Sequence, residues 1–258
     1  MTKENRPHNL SDAEEHEVFD VPADRNVKIW RYIDFTKFVD LLHRRALFFS
    51  RADRIGDPYE GTLPLPNALL REQMLAGAVS VRDPNISASE AQKQGAARQR
   101  QYIYVNCWHM NEVESAAMWK VYTSTTEAVA IQSTYERLRG CIPRITGLGR
   151  PPFYLGVVKY INYTRDVIPE GNVYYPFIHK RQSFSHEREL RVLTRSTWGQ
   201  PPTDHAVYVP VDLDDLVENV FVAPTSPAWF RELVGNVMKQ YGLARVPAKS
   251  AMDLPPLY

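Results

Sequence analysis

Apolar and polar residues alternate at several points along the chain, and this alternation predicts short strands. In residues 27–34, Ile29 and Arg31 fall on one face of an extended segment, and Trp30 and Tyr32 fall on the other. The same kind of pattern, or a short apolar run between turn residues, predicts further strands. These lie at residues 47–50, 104–110, 128–133, 154–163, 186–194, 205–213 and 218–224.

Helical spacing of apolar residues separates these strands. Residues 35–47 carry an apolar stripe that includes Phe38, Leu41 and Leu42, and residues 226–242 form an amphipathic segment that ends at Gly242. Helices are also predicted within residues 67–103 and 114–124 and after residue 134. The pattern predicts an α+β fold: a mixed, mostly antiparallel sheet of about six to eight short strands flanked by helices. Residues 27–258 are expected to form one domain, preceded by a flexible polar arm at residues 1–26.

Charge and composition narrow the classes of function. The 258 residues include 31 Lys and Arg and 30 Asp and Glu, a net charge of +1, so no global field attracts nucleic acid or anionic lipid. A local basic patch at Arg44, Arg45, Arg51 and Arg54 remains open. No apolar run approaches the ~18–20 residues that cross a bilayer, and the first 25 residues lack the apolar core of a secretory signal, so a cytoplasmic protein is expected.

The two cysteines, Cys107 and Cys141, do not indicate a disulfide framework or a zinc site. A reduced compartment and the absence of a structural metal are therefore expected.

The loop GDPYEG at residues 56–61 is the first candidate for a functional site. Asp57 and Glu60 lie near a tight turn, where each is a candidate metal ligand, ribose contact or cap. Asp and Gly are also common in turns for purely local reasons, and this interpretation is the more frequent one.

The segment NCWHMNEVESAAMW at residues 106–119 is the second candidate. Trp108 and His109 could form an aromatic wall for a ligand ring at a strand-to-helix corner, and Trp119 follows in the helix. His109 and His186 are candidate general bases, because histidine titrates near neutral pH. A single histidine of this kind is more often a packed or surface residue.

The segment SFSHERELRVL at residues 183–193 is the third candidate. A strand over residues 186–194 would place Glu187, Glu189 and Arg191 on one face, with the two glutamates about 6.5–7 Å apart. Two like charges at that distance cost free energy unless Arg31, Arg191, Lys180 or a ligand compensates them. The alternatives are an exposed edge strand kept soluble by its charges, or a helix with an ordinary surface pair.

Several of these segments resemble a bacterial family, domain of unknown function 2971. The resemblance runs from about residue 28 to residue 195. It covers WRYIDFTKFVDLLHRRALFFSRADRIGDPYEG, NCWHMNEVESAAMWKVY, AIQS and HKRQSFSHERELRVL. The residues that match the family pattern are Tyr32, Asp57, Pro58, Glu60, Cys107, Met118, Trp119, Tyr122, Glu187, Glu189 and Arg191. The chain departs from the pattern at Gly56, His109 and Asn111. The resemblance implies an effector or toxin in bacterial antiphage defence, with a cognate antitoxin or sensor protein as partner.

A second resemblance concerns only the layout of the elements, which is similar to that of ADP-ribosyltransferases. It implies an enzyme that uses NAD as co-substrate and acts on a nucleic acid or a protein. Arg31 would bind the pyrophosphate, Tyr32 or Trp108 would contact the nicotinamide, and Glu189 or Glu187 would be the catalytic carboxylate. The full candidate site consists of Glu187 and Glu189 as catalytic residues with Arg31, Tyr32, Asp57, Glu60, Trp108, His109, Trp119, Lys180 and Arg191 as binding residues.

Two other interpretations remain open. In a magnesium-dependent nuclease or phosphodiesterase, Asp57, Glu60, Glu187 and Glu189 would gather one or two Mg²⁺ ions, and Lys180 or Arg191 would hold the phosphate. In a non-catalytic module, the same residues would bind a nucleotide or a partner. The ADP-ribosyltransferase interpretation requires no metal.

Overall fold

The computed structural model of the protein describes residues 16–81, 83–143, 152–196 and 203–253. The strands are β1 (Lys28–Asp34), β2 (Ala46–Arg51), β3 (Ile103–Met110), β4 (Ala128–Thr134), β5 (Phe153–Val157), β6 (Lys159–Ile161), β7 (His179–Arg181), β8 (Glu189–Arg195), β9 (Ala206–Pro210), β10 (Asn219–Val222) and β11 (Ala248–Lys249). The α-helices are α1 (Phe35–Arg44), α2 (Leu65–Met74), α3 (Ala88–Gln99), α4 (Ala116–Tyr122), α5 (Tyr135–Cys141), α6 (Tyr175–Ile178), α7 (Leu213–Leu216) and α8 (Ala228–Gln240). Short 3₁₀ helices span Ala52–Arg54, Gln182–Glu187 and Ala251–Asp253.

The predicted α+β class is confirmed. Nine of the strands form one sheet in which every pair is antiparallel except β10 with β11, and β6 and β7 form a separate parallel pair. The sheet has one strand more than the upper end of the predicted range. The two-residue strand β11 of this sheet is too short to produce a periodic pattern, and so is the three-residue strand β7 of the separate pair.

The sheet divides at β3. One edge of β3 pairs with β8 from Ile103 to His109. The other edge is shared, since β1 pairs with His109 and Met110 while β2 pairs with Tyr104 and Val105. The two strands therefore separate beside residues 106–108 of β3. Strands β4, β10 and β11 extend the β1 side, and β9 extends the β2 side.

Alternation along β3 and β8 builds two cores on opposite faces of the sheet. Tyr104, Trp108, Leu190 and Val192 join the larger core, which the buried faces of α1, α5 and α8 cover. The other face carries a smaller core. Its buried members are Val18, Phe19, Ala52, Ile103, Val105, Val158, Tyr174, Phe177, Ile178 and Leu193. The odd-numbered positions of β3 and β8 thus face the second core, and this face also carries the candidate acidic residues.

The prediction of a flexible arm through residue 26 is wrong for the end of that stretch. Val18 and Phe19 are buried, and the Phe19 ring stacks on Tyr154 with the centroids 5.1 Å apart. This approach requires Gly156, where an added Cβ would lie 2.8 Å from Phe19 Cβ. Residues 1–15 of the predicted arm lie outside the described residues.

Within the described ranges, no helix combines the length and the apolar character that would let it span a membrane.

Candidate functional site

The turn that precedes β8 differs from the predicted strand. Residues Gln182–Glu187 form a 3₁₀ helix, Arg188 has a left-handed conformation with φ 40°, and the strand begins only at Glu189. The prediction of a strand from residue 186 is therefore wrong. Only Glu189 and Arg191 share a strand face, and Glu187 reaches the same site from the end of the 3₁₀ helix.

Lys180 joins the two glutamates. Its ammonium group donates a very short hydrogen bond to the Glu187 carboxylate and lies 3.5 Å from Glu189 Oε2. All three side chains are buried. The charge compensation expected for two neighbouring glutamates is therefore present. Lys180 supplies it from β7, the strand that precedes the 3₁₀ helix.

Arg191 connects this pair to the GDPYEG loop. Its guanidinium binds the Glu60 carboxylate through two hydrogen bonds of 2.7 and 2.9 Å, and it donates to Glu189 Oε2 at 3.0 Å and to the Phe177 carbonyl at 2.6 Å. Arg191 has no exposed surface. Three carboxylates and two cations therefore form one buried network, which we call the acidic network: Glu60, Lys180, Glu187, Glu189 and Arg191.

The network keeps Glu189 ionised. Burial alone would raise the pKa of Glu189, but the charges of Arg191 and Lys180 outweigh it and lower the pKa to about 2. Burial likewise acts against the charged form of Lys180, yet Glu189 and Glu187 raise its pKa. Glu189 is therefore ionised at neutral pH although its side chain is buried from water.

His109 stands directly opposite Glu189 in the pairing of β3 with β8. Its Nδ1 lies 2.6 Å from the Glu187 carbonyl oxygen, which accepts a hydrogen bond from the Nδ1–H tautomer. Nε2 then carries a lone pair, and this buried atom has no hydrogen-bond partner. Burial lowers the pKa of His109, so the imidazole is neutral at pH 7.

Three further residues lie near the acidic network, although none was among the predicted site residues. Burial raises the pKa values of Tyr122 and Cys107, and the charges of Glu187 and Glu189 add to the effect on Tyr122 as Glu189 does on Cys107. The Glu189 amide donates to the Tyr160 hydroxyl at 2.8 Å. Tyr122 is 43 % exposed. Cys107 and Tyr122 belong to the quoted family motifs, and alternation along β3 places Cys107 on the His109 face, so the sequence did contain a signal for both.

Arg31 lies apart from the acidic network. Its side chain is half-buried where β1 and β2 separate, with Nη2 3.4 Å from the Phe48 carbonyl and the guanidinium 5.9 Å from the centre of the Trp108 ring. Nη1 is buried and has no hydrogen-bond partner. Burial lowers the pKa of Arg31 to about 10, which still leaves it charged at pH 7. The structure therefore does not use Arg31 to compensate the glutamates.

The predicted aromatic wall is not formed. Trp108 and His109 point to opposite faces of β3, and Trp108 is buried in the larger core with its Nε1 donating to Asn106 Oδ1 at 2.7 Å. Tyr32 is on the His109 side, with the ring centroids 6.3 Å apart. Trp119 packs edge-on against Tyr32 at 4.9 Å and does not reach the acidic network.

Asp57 lies at the edge of the site. It accepts a hydrogen bond from the Tyr59 amide at 2.9 Å, as a turn residue does, and it also forms an ion pair with Arg181 at 3.2 Å. His186, the second candidate base, is exposed and stacks on Phe184. Asp57 thus has both a local hydrogen bond in its turn and an ion pair with Arg181 of β7.

Each carboxylate that a magnesium site would need is already paired with a neighbouring cation. Both Glu60 oxygens accept from Arg191, Glu187 and Glu189 face Lys180, and Asp57 binds Arg181. Across the described part of the chain, no group of three or more His, Cys, Asp or Glu side chains is arranged to hold a metal ion. The donor set therefore does not fit the nuclease hypothesis.

The suggested basic patch is largely neutralised by acidic neighbours. Arg44 binds Asp40 at 2.7 Å, and Arg45 lies 3.2 Å from Asp214. Arg51 likewise binds Asp53.

No family model matches the chain, and no curated protein matches it either. Among solved structures, the chain is similar to DarT from Thermus sp. 2.9 in complex with ADP-ribosylated single-stranded DNA. The two share 11% sequence identity with a TM-score of 0.39, over 89% of this chain and 96% of that chain. A similarity this distant assigns neither activity nor substrate. The resemblance to domain of unknown function 2971 stays a prediction from the quoted motifs.

Proposed function

We propose that the protein is an NAD-dependent enzyme that transfers an ADP-ribosyl group to a nucleic acid or a protein. The observation that carries the proposal is the pairing of Glu189 with His109 on adjacent strands. One is a buried carboxylate held ionised by two cations, and the other is a buried imidazole with a free lone pair. A carboxylate beside an unused hydrogen-bond acceptor suits a ligand that presents neighbouring hydroxyl groups and develops positive charge.

In bound NAD the bond between ribose C1′ and the nicotinamide nitrogen would break, and its electron pair would leave with the nicotinamide, which becomes neutral. The acceptor would form a bond to C1′ and release its proton to water. Glu189 would stabilise the positive charge at C1′, because a fixed carboxylate in a dry site acts more strongly than one in water. His109 Nε2 would accept a hydrogen bond from a ribose hydroxyl. Tyr32, one of the aromatic residues on this face, would contact the nicotinamide.

Arg31, the predicted pyrophosphate ligand, lies on the Trp108 side of the sheet, opposite Tyr32, His109 and Glu189. Its buried Nη1 has no hydrogen-bond partner, but the geometry does not place this cation with the proposed catalytic residues. Because the carboxylates are buried, access to them requires that neighbouring side chains move.

The test is NAD consumption, measured as nicotinamide release, by the purified protein and by Glu189→Gln and Glu187→Gln variants. We expect the wild type to consume NAD with a single-stranded oligonucleotide or a protein acceptor present, and Glu189→Gln to lose at least 100-fold in rate, about 2.7 kcal/mol of transition-state stabilisation. Glu218→Gln, in a half-exposed pair with Lys28, is the control for removing a glutamate charge.

Equal consumption by the wild type and both site variants would refute the proposal. Nucleic-acid cleavage that requires Mg²⁺ and stops with EDTA would favour the nuclease instead. If neither turnover nor a ligand-induced shift in Tm occurs, the acidic network is structural.

A role in defence, with an antitoxin or sensor as partner, is the finer part of the proposal and rests on the family resemblance. Expression of the wild type in a bacterial host should then slow growth, whereas Glu189→Gln at equal expression should not. Equal growth of the two strains would remove the toxin assignment without affecting the NAD assay.

A further inference from the structure

A row of stacked side chains lies beside the acidic network and takes no part in it. The Arg181 guanidinium is 4.0 Å from the centre of the Tyr59 ring and 5.0 Å from that of Phe184. The Phe184 and His186 rings stack with their centroids 6.5 Å apart and their planes 25° from parallel. We call this row the stacking ledge: Tyr59, Arg181, Phe184 and His186.

The ledge is open to solvent. Tyr59 is 46 % exposed and His186 is exposed, while Arg181 and Phe184 are half-buried between them. Exposed aromatic rings interleaved with a cation are the surface on which planar heteroaromatic rings stack.

The ledge is also anchored to the acidic network. The Lys180 ammonium lies 4.8 Å from the centre of the Phe184 ring and donates to Glu187. Asp57, which precedes Tyr59 by two residues, binds Arg181. A ring stacked on the ledge would therefore lie next to the carboxylates to which the reaction is assigned.

From this geometry we infer that the ledge binds an unpaired base of a single-stranded nucleic acid, which would be the acceptor substrate. The inference rests on the proposed function for its chemical role, but not for binding. A duplex hides the faces of its bases, so it offers nothing to stack, whereas a single strand exposes them. Since Asp57 neutralises Arg181 and the chain has a net charge of only +1, stacking and not phosphate attraction supplies the affinity.

The affinity for a fluorescent 12-nucleotide single strand of mixed sequence, measured by anisotropy, tests this inference. Tyr59→Ala and Phe184→Ala should each weaken binding about 5- to 150-fold, the usual loss for one stacked base. Tyr59→Phe keeps the ring and should bind as the wild type does. The duplex of the same sequence should bind much more weakly, and affinity should fall only slightly between 50 and 200 mM salt, in contrast to phosphate-driven binding.

Tyr208→Ala is the matched control. Tyr208 is 40 % exposed and packs on Arg44, with the guanidinium 4.2 Å from the ring centre, and Arg44 pairs with Asp40 as Arg181 pairs with Asp57. This second pair lies at α1 and β9, on the outer edge of the sheet. Loss of the Tyr208 ring should leave the affinity for the single strand unchanged, provided that circular dichroism shows that all variants are folded.

Three outcomes would overturn the inference: no single-strand binding by the wild type, equal weakening by Tyr208→Ala, or a loss of NAD affinity in Tyr59→Ala with strand binding intact. The last would assign the ledge to the dinucleotide. Glu189→Gln separates this inference from the proposed function, because it should bind the strand normally even though it does not react. Strand binding without NAD turnover would therefore refute only the proposed function.

Discussion

Lys180 binds both glutamates of the site, with its ammonium group donating to Glu187 and lying 3.5 Å from Glu189. The strand β7 that carries it is only three residues long, and the 3₁₀ helix that follows returns the chain so that Glu187 and Glu189 face the same lysine. One lysine therefore makes it possible to bury two carboxylates that would otherwise repel each other.

Lys180→Met should destabilise the protein by about 3–5 kcal/mol, because it leaves buried carboxylates without their cation. Urea unfolding followed by circular dichroism measures this change. Lys28→Met is the control, since Lys28 forms an equally direct pair with Glu218 at 2.6 Å but both side chains are about 30 % exposed. Its cost should be within ~1 kcal/mol. Similar losses in the two variants would show that the acidic network contributes no more than a surface pair.

Glu189 should make stability depend on pH in the acid range. Burial acts to raise its pKa, but Arg191 and Lys180 lower it to about 2 from an ordinary value of 4.5. A carboxyl group with a lowered folded-state pKa contributes stability above its unfolded pKa and loses it as pH falls. The free energy of unfolding should therefore drop, by an amount on the order of 3 kcal/mol, as pH falls from about 4.5 to about 2.

The same titration of Glu189→Gln isolates this contribution. The variant lacks the carboxyl group, so its stability should change less over that range, and the gap between the two proteins should narrow toward low pH. A constant gap from pH 7 to pH 3 would mean that Glu189 is not held ionised by its neighbours.

Most of the fold could be predicted because its strands are long enough to show a period. The register of β1 and the helical stripe of α1 follow directly from alternation and from spacing, as Ile29 and Phe38 illustrate. Strand β7 shows no such period, because its three residues follow α6 directly. Its side chains at Lys180 and Arg181 nevertheless organise the site.

The structure brings several of the predicted site residues together, but the sequence assigned their charge partners incompletely. Compensation of Glu187 and Glu189 was expected on electrostatic grounds, and two of the predicted cations, Lys180 and Arg191, supply it. The sequence did not show that Arg31 lies away from the two glutamates, because that distance depends on where β1 and β2 separate along β3. Trp108 was misplaced because a wall shared with His109 requires both side chains on one face, which strand alternation forbids.

Arg188 shows why the start of β8 was missed. A non-glycine residue with positive φ is uncommon, so nothing in the sequence indicates the turn. Replacing Arg188 by Gly should make the protein about 1 kcal/mol more stable than replacing it by Ala, because only the alanine retains the strain of a Cβ in the left-handed region. Both variants lose the same side-chain contact with Asn111, so their difference in urea midpoint reports the backbone alone.

Arg71 provides the opposite comparison. It lies in α2, where helical φ values favour alanine, so Arg71→Gly should be about 1 kcal/mol less stable than Arg71→Ala. If glycine is the worse substitution at both positions, Arg188 does not hold a left-handed conformation in solution.

His109 gives the proposed reaction a defined dependence on pH. Its Nε2 must be unprotonated to accept a hydrogen bond, and burial lowers the pKa of His109 below its ordinary value of 6.5, with Arg188 and His186 acting in the same direction and Glu187 against it. The rate of nicotinamide release should therefore stay constant from pH 8 down through 6.5 and fall only at more acid pH. His109→Gln should reduce the rate and remove this acid limb. His179→Gln is the matched control, because His179 is also buried, has a lowered pKa and bonds through Nδ1 to a carbonyl, that of Tyr175. An acid limb that persists in His109→Gln, or one centred at or above pH 6.5 in the wild type, would contradict the assignment of Nε2 to the ligand.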